Sequence, residues 1–193
     1  MRLMFTQVHL RTPRTAALIV VLASVWLAVA GNLALWQTLS RLPDVAGFRG
    51  LAFGAAFALI IAGAVTAVLA LFAWRWTLKP VISLLLLLAA FATYYMLMYG
   101  IVVDTPMVIN VFQTDVREAR DQLSWQLLAC ILALAVLPMA WLWPQVLPTQ
   151  TWRQHTLRNV ALFVGGLGVT MGTTLLVFQD FSSLMRNYTD LRY

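Results

Sequence analysis

Asn110, Thr114 and Glu118 stand at i, i+4 and i+8. On a helix that spacing stacks an amide, a hydroxyl and a carboxylate in one row about 12 Å long. Such a row can hold a zwitterionic lipid headgroup. The carboxylate pairs with an ammonium, while the amide and hydroxyl hydrogen-bond to phosphate or amine. The same row also fits the solvated face of an ordinary interfacial helix, on which Arg117 and Asp121 pair at i, i+4. Other chemistry has little to draw on. His9 and His155 are far apart in polar flanks, and Cys130 is alone in an apolar run. A histidine- or cysteine-built metal site is therefore hard to assemble, and an internal disulfide is impossible. No catalytic residue is expected within the chain.

The row needs a helix to carry it. Asp104-Thr105-Pro106 offers a threonine N-cap with proline at the first helical position. Read as a helix over about 105–121, Val108, Phe112, Val116, Ala119 and Leu123 fall within about 80° of one another. Asn110, Thr114, Glu118, Arg117 and Asp121 gather opposite them. The segment is expected to lie flat on the membrane surface or on the helix bundle.

The rest of the chain belongs in lipid. Of 193 residues, 62% are apolar and 10% charged, where water-soluble domains carry roughly a quarter charged. No charged residue falls between Arg14 and Arg41, Arg49 and Arg75, Lys79 and Asp104, Asp121 and Arg153, or Arg158 and Asp180. Each gap admits the helix of about 20 residues that crosses a 30 Å hydrocarbon layer. Continuous runs without a dyad pattern exclude an outer-membrane barrel. The expected fold class is thus an all-α integral membrane protein. Its five transmembrane helices are placed near 16–37, 51–73, 81–103, 124–143 and 160–178, with an external amphipathic loop helix between the third and fourth. Seven tryptophans, among them Trp36, Trp74, Trp125 and Trp152, cluster at the expected ends, where indole prefers the interface.

Ala28-Val29-Ala30 resembles a signal-peptidase site, but the apolar run continues through Trp36, so a retained first helix is favoured. The net charge of +6 comes from basic residues scattered singly, which suits membrane surfaces rather than nucleic acid. A cytoplasmic N-terminus puts Arg2, Arg11, Arg14, Arg75, Lys79, Arg153 and Arg158 inside and all acidic residues outside. The basic count alone is nearly balanced across the two sides. With no charge inside any span, ion-coupled transport is disfavoured. Small residues at Gly54, Ala58 and Ala62, and at Ala161, Gly165, Gly168 and Gly172, are expected to face neighbouring helices.

The run Tyr99-Gly100-Ile101-Val102-Val103-Asp104, then Met107, Asn110, Gln113-Thr114-Asp115, Glu118-Ala119 and Asp121, resembles a loop of the lipid A phosphoethanolamine transferases. These are inner-membrane enzymes of Gram-negative bacteria, associated with polymyxin and colistin resistance. Gln179-Asp180-Phe181-Ser182-Ser183-Leu184-Met185-Arg186-Asn187 resembles the segment leading out of that family's fifth span. The resemblance implies a five-helix membrane domain over 1–178 and a periplasmic linker over 179–193. Beyond it would stand a catalytic domain with a threonine nucleophile and zinc, neither of which these residues supply. It further implies that Asn110, Thr114 and Glu118 bind the headgroup of the phosphatidylethanolamine donor, lipid A being the acceptor. The chain alone is then expected to be inactive and free of cofactor. It would sit in the inner membrane with its N-terminus cytoplasmic and its C-terminus periplasmic, among membrane lipids and beside its own catalytic domain. The alternative is a non-enzymatic membrane scaffold or assembly subunit, with the loop helix as a docking surface.

Overall fold

The structure is a computed structural model that describes residues 16–40, 48–100, 124–149 and 151–190. Every regular element among them is helical, and five stretches are long and apolar enough to cross a membrane. They are Ala16–Ser40, Gly50–Leu71, Leu78–Tyr99, Trp125–Leu142 and Trp152–Val177, here the first to fifth spans. Leu51, Leu84, Leu88 and Leu175 are among many large apolar side chains on the outside. In water such a surface would drive aggregation; against lipid tails it costs nothing. The core joins Ile19, Val20 and Leu27 of the first span to Leu69 of the second, Leu78, Ile82 and Leu86 of the third, and Leu134, Ala135 and Leu142 of the fourth. The fifth span packs chiefly on the second.

Two spans break their helical ladder, and in each case side chains satisfy the freed carbonyls, as the absence of water in the bilayer requires. The first span passes through a 3₁₀ turn at Ala30–Asn32, around two poor helix formers, Gly31 and Asn32. Asn32 Nδ2 donates to Leu27 O at 2.8 Å, and Trp36 Nε1 to Val29 O at 2.9 Å and Ala28 O at 3.2 Å. Thr93 Oγ1, from the third span, donates to Gly31 O at 2.9 Å. The third span approaches closely here: a Cβ on Gly31 would stand 3.2 Å from that of Ala89.

The fourth span contains a π-helical turn over Leu132–Val136, closed by the Leu137 N–H on Leu132 O. Pro138 follows at the start of the next helical segment, Leu137–Leu142. Having no N–H, it cannot serve the carbonyl four residues back, Leu134 O. Trp26 Nε1 from the first span does so instead, at 3.1 Å. An insertion in the ladder, a proline and an indole thus form one unit that ties the first span to the fourth.

The second and fifth spans touch backbone to backbone. A Cβ added to Gly63 would lie 2.8 Å from Gly166 O, and one on Gly166 would lie 2.7 Å from Gly63 O. Thr170 Oγ1 bonds Ile60 O across this contact at 3.3 Å. The fifth-span part of the small-residue pattern read from the sequence is corrected here, while Gly54 of the second span does approach Trp36 of the first. Gly165, Gly168 and Gly172 meet nothing within 4 Å, and the packed face carries Asn159, Leu162, Gly166 and Thr170. One position along a helix is a turn of 100°, so a stripe misjudged by one residue faces lipid.

Two boundaries also move. The third span ends at Tyr99 rather than near 103, because Gly100 adopts φ 63° and its N–H bonds Met96 O at 3.1 Å, a left-handed cap. The last helix starts at Trp152, not near 160, and runs to Asp190, through most of the stretch expected as linker. No proline or glycine follows Gly172 to stop it. At 1.5 Å per residue it is about 58 Å long, well beyond the hydrocarbon layer.

Candidate functional site

The expected loop helix over 105–121 and its three polar residues, Asn110, Thr114 and Glu118, lie outside the described residues. What the structure describes is how the two roots of that loop are held. Tyr94, buried near the end of the third span, brings its hydroxyl to 2.6 Å from Ser124 Oγ. Ser124 is the N-cap of the fourth span, with extended backbone and its Oγ accepting from Leu127 N at 3.1 Å. Either hydroxyl can donate to the other, and the contact ties the end of the third span to the start of the fourth. Tyr95 and Tyr99 enlarge the anchor. Tyr95 stacks on Tyr99 at 5.7 Å, and Tyr94 meets the edges of both. One turn below, Cys130 Sγ contacts Ala90 O at 3.4 Å, which pins the same pair of spans again.

The opposite end of the bundle is basic. Arg158 sends Nη2 to Ala73 O at 2.7 Å, to His155 Nδ1 at 2.9 Å and to Asn159 Oδ1 at 3.1 Å. Arginine only donates, so His155 must accept through Nδ1 and carry its proton on Nε2. Trp74 stacks on His155 at 5.8 Å and lies tilted against Trp152 at 6.3 Å. Together they fasten the turn after the second span to the start of the fifth. Lys79 closes the other side, donating to Trp143 O at 2.8 Å and Gln145 O at 2.7 Å. Arg75, over Trp76 at 5.4 Å, completes a belt of cations and indoles.

Among the described residues no three metal-ligating side chains gather. All seven acidic residues fall in segments whose side chains are not described. The tyrosine anchor and the Trp26–Pro138 unit were not foreseen from sequence. Tyr94-Tyr95-Met96-Leu97-Met98-Tyr99 is a visible signal for the first, three phenols within two turns beside a polar loop. The second had only Pro138, since nothing in a linear sequence pairs it with an indole 112 positions earlier.

The description phosphoethanolamine transferase EptA/EptB covers residues 61–193 as a family match. Among curated relatives, phosphatidylethanolamine transferase Mcr-1 of Escherichia coli is 29% identical over 188 residues, covering 97% of this chain and 34% of the relative. Phosphoethanolamine transferase EptA of Escherichia coli K12 is 27% identical over 173 residues, 88% of this chain and 31% of its own. The chain thus spans about a third of the length of the curated relatives it matches. In fold it resembles the integral membrane lipooligosaccharide phosphoethanolamine transferase A of Neisseria meningitidis. The TM-score is 0.75 at 20% identity, over 91% of this chain and 33% of that one.

Proposed function

Since the chain belongs to the phosphoethanolamine transferase EptA/EptB family, we propose that it is the membrane domain of an enzyme that moves phosphoethanolamine from phosphatidylethanolamine to lipid A. In this reading it anchors the enzyme in the inner membrane, N-terminus in the cytoplasm, and holds the donor headgroup on Asn110, Thr114 and Glu118. The observation that carries the reading is the polar row itself, at i, i+4 and i+8 between two spans that a 2.6 Å Tyr94–Ser124 contact draws together. Held at the membrane surface, such a row would meet lipid headgroups. Glu118 would pair with the donor's ammonium, and Asn110 and Thr114 would hydrogen-bond its phosphate. The covalent step, with its threonine nucleophile and zinc, is assigned to a periplasmic domain with which this one works. Lipid A would then be met where the two domains face each other.

The test is made in the enzyme that contains this chain. Glu118→Ala and Thr114→Ala should each cut phosphoethanolamine transfer to lipid A, read by mass spectrometry of extracted lipid A, while membrane insertion is unchanged. Loss of one charge-assisted hydrogen bond, about 1.5–3 kcal/mol, corresponds to roughly a 10- to 150-fold loss for Glu118. Wild-type modification in both variants would contradict the reading.

A further inference from the structure

A groove of about 290 Å³ runs between the first, third and fourth spans, on the half of the bundle nearer the basic end. Ala23 and Trp26, Ile82 and Leu86, and Pro138 and Trp141 are among its walls. They offer it almost nothing polar, because the Trp26 indole N–H is spent on Leu134 O. That bond also holds the ring still, so the wall is formed before any ligand arrives. The rim toward the basic end, which we take as the mouth, is different. Lys79 and Ser83 lie within about 100° of the wall residues Ile82 and Leu86 on the third span, Lys79 one turn nearer the basic end than Ser83. Lys79 uses two of its three N–H donors on Trp143 O and Gln145 O. Trp143 Nε1 donates to Ser83 Oγ at 3.2 Å, which leaves the Ser83 O–H to give. Arg75, Arg153 and Arg158 stand at the same end.

We propose that this groove is a binding site for one anionic phospholipid of the leaflet at the basic end. One acyl chain fills the groove and the phosphate sits against Lys79 and Ser83. The occupant follows from the chemistry of the two parts. An uncharged slot that opens within membrane-spanning helices takes a hydrocarbon chain. A mouth of donors beside three further cations favours a head with net negative charge over a zwitterion, whose ammonium those cations would repel. The site is separate from the loop at 101–123, since Leu78 and Tyr99 are the two ends of a helix about 33 Å long. It does not depend on the reading of Asn110, Thr114 and Glu118.

The experiment is native mass spectrometry of the whole chain released from nanodiscs of equal phosphatidylglycerol and phosphatidylethanolamine. Wild type should retain one phosphatidylglycerol per chain. Ala23→Phe, which fills the groove, should lower that retention about tenfold. Ala23→Leu makes the same test with a smaller side chain should the phenylalanine variant fail to fold, as judged by circular dichroism. Lys79→Gln should still hold lipid but lose about tenfold of its preference for phosphatidylglycerol, the worth of one charge-assisted contact. Equal retention of both lipids by wild type would overturn the proposal. So would phosphatidylglycerol retention at the wild-type level in the groove-filling and Lys79→Gln variants alike.

Discussion

Gly166→Ala adds one methyl group where the second and fifth spans meet. Its Cβ would lie 2.7 Å from Gly63 O, 2.8 Å from Ala67 N and 3.2 Å from Thr66 Cβ. Two of these neighbours are backbone, so no rotamer change relieves the clash and the helices must separate. A carbon sits comfortably about 3.3 Å from a carbonyl oxygen, which asks for a movement of about 0.6 Å. That movement carries the Thr170 Oγ1–Ile60 O bond, already 3.3 Å, out of range. Overpacking of this kind costs about 1–3 kcal/mol, and an interhelical hydrogen bond in a membrane adds roughly 0.6 kcal/mol. Less the roughly 0.5–1 kcal/mol that a helical glycine gains on becoming alanine, the change should still shift the unfolding equilibrium at least about threefold. Gly168→Ala is the matched control. Nothing lies within 4 Å of its Cβ, and replacing glycine inside a helix should stabilise by about 0.5–1 kcal/mol. Reversible unfolding in mixed micelles, followed by circular dichroism, gives the two values with opposite signs. If Gly168→Ala were the more damaging of the pair, or if both were neutral, the packed face would be assigned wrongly.

Two further outcomes follow from the hydrogen bonds that replace broken ladders. Trp26→Phe should cost up to about 1.7 kcal/mol by orphaning Leu134 O, and less in a Pro138→Ala background, where the new N–H can take over that carbonyl. A double-mutant cycle on unfolding stability checks this; strict additivity would refute it. Tyr94→Phe removes the tie to Ser124 and should leave the bundle folded while hastening proteolytic cleavage within 101–123. An unchanged cleavage rate would show that the phenol does not hold the roots.

The five spans were legible because a charge in hydrocarbon is so costly that the chain punctuates itself. From Arg14 to Asp180 the gaps between charges mark them out. The breaks inside the spans were not legible. Gly31 and Pro138 announce weakness, but whether a helix bends or holds there depends on Thr93 and Trp26, which arrive from other helices. The fifth span's packed face was missed because Gly165 and Gly166 are adjacent and equally small; only the partner Gly63 distinguishes them. The resemblance gave 179–193 as a linker without a conformation; that it continues the last helix to Asp190 follows from the lack of a glycine or proline after Gly172. The row of Asn110, Thr114 and Glu118 is legible in sequence alone, and its placement lies outside the described residues.

The most direct test of the central claim asks whether phosphatidylethanolamine is held by its headgroup at the loop. The purified chain, returned to nanodiscs of dilute phosphatidylethanolamine in phosphatidylcholine, is compared with Glu118→Gln by native mass spectrometry. A primary ammonium donates hydrogen bonds to a carboxylate that a trimethylated one cannot. The account predicts that wild type enriches phosphatidylethanolamine at least about tenfold over the bilayer and that Glu118→Gln loses the enrichment. Identical lipid profiles in the two proteins would contradict it.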